Sequence, residues 1–328
     1  MGTISYVSTF LRRLSALATV CMLSLAGCTT PPPGPAASSS GPAADSDTVQ
    51  TPAAPKIRVT ATSYPIAWVA EQIGGEYATV SMATPAGVDP LLYAYTPEEL
   101  AQLGEASDVL FYVAGFQPAL DENLAQVSTP AVDLAPHVQL VHHRALAGNH
   151  GDESGEAGRQ LDPYFWHDTE RLTRLAGAVR EALSNMDPAH ATEYAQALDS
   201  LTGKLNELDA HYAAGLAQCA TRTVVTYRPA YAYMTDRYHL QQVAVQAMDP
   251  AITPTAKDIR NVKLEINANH VGTVFTEGGN SEAIAQLAAE TGTQVASLDS
   301  LSTPPAEGDY LSGMEENLQS LRAGLGCQ

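Results

Sequence analysis

Residues 189–217 read AHATEYAQALDSLTGKLNELDAHYAAGLA. No Pro interrupts them, and Gly occurs only at 203 and 215. Leu198, Leu201, Leu205, Leu208, Tyr212 and Leu216 recur at spacings of three and four, which places one apolar stripe on one helix face. At 1.5 Å per residue such a helix runs roughly 40 Å, about the length of a small domain. Asp187-Pro188 opens it. A helix of this length between two folded halves is a rigid strut rather than a hinge of loops. It divides the chain into an N-terminal part (56–187), a connecting helix (188–218) and a C-terminal part (219–328).

Short β-branched runs alternate with amphipathic stretches on both sides of the strut. In the first half, Ile57–Thr62, Thr79–Ala83, Asp108–Val113 and Ala131–Leu134 read as strands. Ile66–Ile73 reads as a helix ended by Gly74-Gly75. Pro97–Leu103 reads as a helix with Thr96 at the N-cap and Glu99 three residues on, the pattern of a capping box. In the second half the strands are Arg222–Tyr227, Gln242–Gln246, Gly272–Thr276 and Gln294–Leu298, with helices around 230–238, 255–268, 281–291 and 308–324. Strands alternating with helices imply parallel sheets covered on both faces. The expected fold is therefore α/β, with two lobes of parallel sheet flanked by helices and joined by one long rigid helix.

The N-terminus belongs to neither lobe. Arg12 and Arg13 precede an apolar stretch from Leu14 to Ala26, the anatomy of a secretory signal over 1–27. That stretch is shorter than the ~20 residues a bilayer span needs. Cys28 follows Leu25-Ala26-Gly27 directly, which resembles the lipobox of bacterial lipoproteins. The resemblance implies cleavage before Cys28, acylation of the new N-terminus and a lipid anchor on the outer face of the cytoplasmic membrane. Residues 29–55 are dominated by Pro, Ala, Ser and Gly, with Val49 the single large apolar residue. Such a segment buries too little to fold and reads as an extended leash.

A net charge of −19 argues against nucleic acid or an anionic membrane surface as the partner. Once Cys21 leaves with the signal and Cys28 is lipidated, Cys219 and Cys327 remain. In an oxidising compartment two cysteines favour a disulfide. Signals for an enzyme are missing: there is no His-Glu-x-x-His, no Gly-x-Ser-x-Gly and no Walker-type phosphate loop.

Five stretches give the folded part a family resemblance. They are TSYPIAWVAEQIGGE (62–76), the run from Pro85 to Leu100, LDPYFWHD (161–168), VVTYRPAYAYMTDRYHL (224–240) and TPTAKDIRNVKLEINANHVGTVFTE (253–277), followed by VASLDSL (295–301). Together with the long helix and the lipobox, they make the chain similar to the metal-binding solute-receptor lipoproteins of zinc and manganese ABC importers. The resemblance implies a monomeric receptor that delivers cargo, with Zn²⁺ or Mn²⁺ the candidates, to a membrane permease and its ATPase. It also implies that metal is held by four side chains in the cleft between the lobes.

Three of those four positions depart from the family. Leu91 stands in Gly87-Val88-Asp89-Pro90-Leu91-Leu92-Tyr93 where a His is usual. Tyr164 takes the place of a second His, and Arg228 that of a His or Glu. Asp299 alone fits. Leu offers no donor, a neutral Tyr is a poor ligand, and Arg stays cationic. A bare-ion site of the usual kind is therefore not expected.

Two readings compete for Arg228: an internal ion pair with Asp299 that closes the cleft, or recognition of an anionic group on an organic cargo. A surface arginine unrelated to the cleft is the plain alternative. Tyr93, Tyr95, Tyr164, Phe165, Trp166, Tyr227, Tyr231 and Tyr233 gather at the same stretches. They read either as packing between lobes or as an aromatic-walled pocket for an organic or chelated cargo. Tyr93, Trp166, His167 and Tyr227 thus join Leu91, Tyr164, Arg228 and Asp299 as candidate cleft residues. His142, His143 and His150 sit in a sparse acidic stretch before the second ligand position, where zinc members of the family carry a His-rich loop; weak metal capture is the corresponding expectation. The alternative function, from another class, is an adhesin-like surface protein that has lost transport and binds a partner protein.

Overall fold

The computed structural model describes residues 55–142, 161–248, 252–277 and 281–328. The first half builds β1 (Ile57–Ala61), α1 (Tyr64–Gly74), β2 (Ala78–Met82), α2 (Pro97–Ala106), β3 (Val109–Tyr112), α3 (Pro118–Asp121), β4 (Ala131–Asp133) and α4 (Ala135–Val138). Two long helices follow, α5 (Thr169–Met186) and α6 (Ala191–Gly215). The second half builds β5 (Thr223–Thr226), α7 (Ala232–Arg237), β6 (Gln241–Ala244), α8 (Ala256–Ala268), β7 (Thr273–Thr276), α9 (Glu282–Thr291), β8 (Gln294–Ser297) and α10 (Tyr310–Leu325).

The two sheets repeat one plan. Their orders are β2-β1-β3-β4 and β6-β5-β7-β8, and all six strand pairings are parallel. Central strands read as they should for burial on both faces: Thr223–Thr226 and Thr273–Thr276 are buried at every position. The strand after which the order reverses is β1 in one lobe and β5 in the other, so the loops beyond their carboxyl ends frame a crevice.

Local chemistry fixes the ends. Thr96 and Glu99 form the expected capping box on α2, and Thr255 with Asp258 forms another on α8. Helix α1 stops at Gly75, whose φ of 51° favours a residue without Cβ. The long helix runs over Ala191–Gly215, slightly shorter than the stripe suggests, because Pro188–His190 forms a separate tight turn. Its buried residues are Tyr194, Leu201, Leu205, Leu208 and Tyr212, while Leu198 is only partly covered. Helix α5 has no counterpart among the elements expected from sequence. Asp168 caps it by accepting from the Glu170 and Arg171 amides, and Leu172, Leu175, Ala176, Val179 and Leu183 are buried at helical spacing.

One continuous apolar core includes Trp68 of α1, Trp166, Tyr212 of α6 and Tyr310, Met314 and Leu318 of α10, so it runs from one lobe into the other. A smaller core lies within the second lobe, where Val225, Val243 and Val274 meet Val262, Ile266, Ile284 and Leu287. Cys219 and Cys327 are joined by a disulfide across 108 residues. It fastens the end of α6 to the end of α10, beside hydrogen bonds from Ala220 N to Gly326 O and from Gln328 N to Gln218 O. Among the described residues no helix is long and apolar enough to cross a membrane.

Candidate solute-binding cleft

Every candidate cleft residue lies on a loop at a strand's carboxyl end or on the segment that enters α5. Arg228 comes two residues after β5, Glu277 directly after β7, Asp299 two after β8, and Asp89 on the loop that leaves β2. The centre of the cleft is an ion group that spans the lobes. Arg228 Nη1 donates to Asp89 Oδ2 at 2.8 Å and to Glu277 Oε2 at 3.3 Å. The three side chains are 18, 19 and 26% exposed, so solvent screens them poorly. Of the readings left open for Arg228, the geometry matches an internal ion pair, made with Asp89 and Glu277 and not with Asp299.

Each partner is held before it meets the arginine. Asp89 Oδ1 accepts from the Leu91 amide at 3.0 Å and so caps the turn Pro90–Leu92, which leaves Oδ2 for the cleft. The Arg228 carbonyl accepts from Thr226 Oγ1 and Gln242 Nε2. Burial pushes the Glu277 carboxyl up, while Arg228 and the Ser300 hydroxyl draw it down. Burial likewise works against the Arg228 charge, but Tyr164, Glu277 and Asp89 outweigh it and leave the guanidinium more firmly protonated than usual. Two carboxylate oxygens that share one nitrogen lie within about 6 Å of each other. At an effective dielectric near 20 their bare repulsion is about 3 kcal/mol, which the guanidinium offsets.

Asp299 has a different task. Its Oδ1 accepts from the Leu301 amide at 2.8 Å, and Leu301 has a φ of 53°. Asn317 clamps the same residue from α10, accepting from its amide and donating to its carbonyl. The one side chain that fits the family's ligand pattern therefore shapes a turn.

Tyr164, Phe165, Trp166 and His167 are buried. Trp166 Nε1 donates to Ser300 O at 2.8 Å, and Tyr310 donates to the Trp166 carbonyl. Tyr231 donates to Leu298 O and Tyr233 to Asp162 O. Trp166, Tyr233 and Tyr310 fasten lobe to lobe, while Tyr231 bonds within the second lobe and sets its ring 5.1 Å from that of His167, so the geometry favours the packing reading of these residues over a pocket wall. Tyr93 lies apart: its hydroxyl bonds to Glu99, and its ring meets Tyr95 edge-on at 4.9 Å. Tyr227 packs partly buried against the smaller core, and Leu91 partly buried against the large one.

Two buried groups behind Tyr164 are incompletely satisfied. Asp162 is fully buried; its Oδ1 accepts from the Tyr164 amide, and Oδ2 has no partner. Burial raises its carboxyl to about 7, against the pull of the Tyr164 amide. Burial lowers the His167 imidazole to about 3, so it is neutral, and its Nε2 is unpartnered. Burial also holds the Tyr164 phenol well above its usual range, against the pull of Arg228. A protonated phenol is a weak donor to a metal.

Among the described residues no group of three or more His, Cys, Asp or Glu is placed to hold a metal ion. His142 is exposed and pairs by a single bridge with Leu161, while His143 and His150 lie outside the described residues. Sequence reasoning left Asp89, Asp162 and Glu277 unassigned. The available signal for two of them was position: an acidic residue ahead of the first ligand site, and another immediately after a fully buried strand.

The profile of the zinc-uptake complex component A periplasmic family matches residues 59–324, nearly all of the folded part. The chain belongs to this family. Among curated members it is 26% identical over 282 residues to the zinc-binding lipoprotein AdcA of Streptococcus pneumoniae, covering 81% of this chain and 55% of that protein. It thus spans about half the length of the streptococcal relatives it matches. It is 22% identical over 284 residues to the high-affinity zinc uptake system protein ZnuA of Bacillus subtilis, covering 82% of this chain and 88% of that one. Solved structures share the family fold: a ZnuA structure superposes with a TM-score of 0.71 at 22% identity, over 82% of this chain and 99% of that one. The laminin-binding protein Lmb of Streptococcus agalactiae, described as bifunctional with adhesin and metal-transporting activity, superposes with a TM-score of 0.72 at 19% identity, over 82% of this chain and 99% of that one.

Proposed function

We propose that the chain is the extracytoplasmic solute-binding receptor of an ABC importer of the zinc/manganese class, and that its cleft does not take up a bare divalent ion. Family membership across nearly all of the two-lobed fold supports the receptor role. The observation that carries the second half is the Arg228 guanidinium between Asp89 and Glu277 at the mouth of both sheets. A fixed positive charge at that point repels a second cation, and Leu91 and buried Tyr164 add no competent donor. In this reading the protein is no enzyme. It is cut before Cys28, anchored by lipid on the outer face of the cytoplasmic membrane, and extended on the leash 29–55. The lobes 56–187 and 219–328, joined by the helix 188–218, work as a monomer that passes cargo to a permease and its ATPase.

Mass spectrometry of the natively purified mature protein, read for both metals and small organic molecules, tests this directly. A co-purifying organic or chelated species without stoichiometric zinc or manganese is the expected result. Stoichiometric bare metal that is lost on mutation of the cleft would overturn it. The alternative, a surface protein that binds a partner, draws on the same loss of ligands. Genes for a permease and an ATPase beside this one would favour transport, and their absence beside a surface-anchored partner would favour interaction.

A further inference from the structure

Asp89 comes from the first lobe and Glu277 from the second, yet one atom of Arg228 serves both. Two carboxylates that face each other across a crevice, each about four-fifths to three-quarters covered, demand a cation between them. Here the chain supplies that cation itself. We propose that Asp89 and Glu277 form a self-occupied cation site, in which the Arg228 guanidinium fills the place of a divalent ion, joins the two lobes and excludes free cations from the cleft. The proposal rests on the receptor reading and adds the residue that sets what the cleft refuses.

Four observations support the site as one that exists without the arginine. Asp89 is aimed by its own capping bond to the Leu91 amide, so its orientation does not depend on Arg228. Glu277 Oε1 is buried and makes no hydrogen bond of full geometry, with the Ser300 hydroxyl its polar neighbour, so it can turn toward an ion beside Oε2. The arginine engages both acids through Nη1 alone, so a single ion at that point would meet the same two oxygens. Metal–oxygen contacts of about 2.0–2.6 Å then require the Asp89 oxygen to draw in by roughly half an ångström and the Glu277 oxygen by roughly one, within reach of side-chain rotation. Arg237 Nη1 also bridges two acids, Asp168 and Glu170, but both belong to the first lobe, whereas Asp89 and Glu277 come from opposite lobes. A hard ion suits oxygen donors, which makes Mn²⁺ the appropriate probe and limits competition from His142 and its neighbours.

The test uses the full mature protein and Mn²⁺ alone, followed by calorimetry and thermal melting. Wild type and Asp89→Asn should bind Mn²⁺ indistinguishably. Arg228→His removes the fixed charge and adds a third donor; it should bind one Mn²⁺ at least tenfold more tightly than wild type and melt higher when Mn²⁺ is present. Adding Asp89→Asn to that variant should erase the gain. Arg228→Lys keeps the charge and should stay as unresponsive as wild type. If Arg228→His does not fold, Arg228→Gln takes its place, with Mn²⁺-dependent recovery of the melting transition as the readout. A folded neutral variant without the tenfold gain, a gain that survives Asp89→Asn, or a gain in Arg228→Lys each overturns the self-occupied site and leaves the receptor reading standing. Tight Mn²⁺ binding by wild type that Asp89→Asn abolishes would overturn both.

Discussion

Two arginines of the second lobe reach carboxylates outside it, and they do so differently. Arg237 of α7 meets Asp209 of α6 at 2.6 Å, Glu170 at 3.1 Å and Asp168 at 3.2 Å. Its partners are busy elsewhere: Asp168 caps α5, and Asp209 also accepts from Thr169 and Tyr238. The hydrogen bond to Asp209 is the largest influence on Arg237 and strengthens its charge. At Arg228 the largest influence is burial, which opposes the charge. Its partner Glu277 has a buried oxygen, Oε1, without a hydrogen bond of full geometry. A network in which one arginine meets three carboxylates marks the wall that ties the lobes. An incompletely satisfied one marks the crevice, where buried polar groups persist at a cost for a reason other than stability.

That contrast is open to attack. The largest effect should come from Arg237→Ala, which strips three carboxylates of one cation. We expect a loss of about 3 kcal/mol in urea unfolding, with little contributed by Glu170, which is 61% exposed. A loss below that from Arg228→Ala would invert the roles assigned to the two arginines.

A change of comparable size and opposite sign is expected from Asp162→Asn. A carboxyl raised to about 7 in the folded protein keeps its proton where the unfolded chain has lost it. Wild-type stability from this group is therefore full below about pH 4, falls as pH rises to about 7, and is flat beyond. Asn keeps an acceptor for the Tyr164 amide and cannot ionise. The advantage of Asp162→Asn over wild type should open between those limits and stay constant above pH 7, measured as urea midpoints at pH 4, 5.5, 7 and 8.

Arg228→Ala should cost less, about 1–2 kcal/mol, because water and counterions enter the crevice and relieve Asp89 and Glu277. High salt should recover part of the loss at Arg228 and little at Arg237. The smallest effect belongs to Asp299→Ala. It removes one acceptor from the Leu301 turn, about 1 kcal/mol, and should leave zinc uptake unchanged in calorimetry. Residual zinc binding should instead follow residues 142–153 and disappear on their deletion. A single tight site destroyed by Asp299→Ala would make Asp299 a ligand and remove the distinction drawn here between turn and crevice.

The two-lobed fold was legible from particular signals. The Leu201–Leu205–Leu208–Tyr212 spacing announced α6, Thr96 and Glu99 announced α2, and alternation of β-branched runs with amphipathic stretches announced parallel sheets. Helix α5 was equally regular but passed unassigned. That Leu91, Tyr164 and Arg228 bring no competent metal donor is a matter of side-chain chemistry and is legible from sequence. The partners of Arg228 were not. Asp89 and Asp299 are both acids at strand ends, and nothing in their spacing ranks one above the other.

Sequence by itself determined what is local or additive: helix and strand periods, caps, the Pro- and Ala-rich composition of 29–55, and the donor chemistry of each side chain. These depend on a residue and its near neighbours. Tertiary structure alone decided which acid meets which base, that Asp299 turns its carboxylate to the Leu301 amide, and that Trp166, Tyr233 and Tyr310 tie lobe to lobe. Those outcomes depend on contacts between residues 139 and 49 positions apart for Arg228 with Asp89 and with Glu277. At such separations the pairing is set by how the two sheets are held by α6 and the shared core, and no local rule reports it.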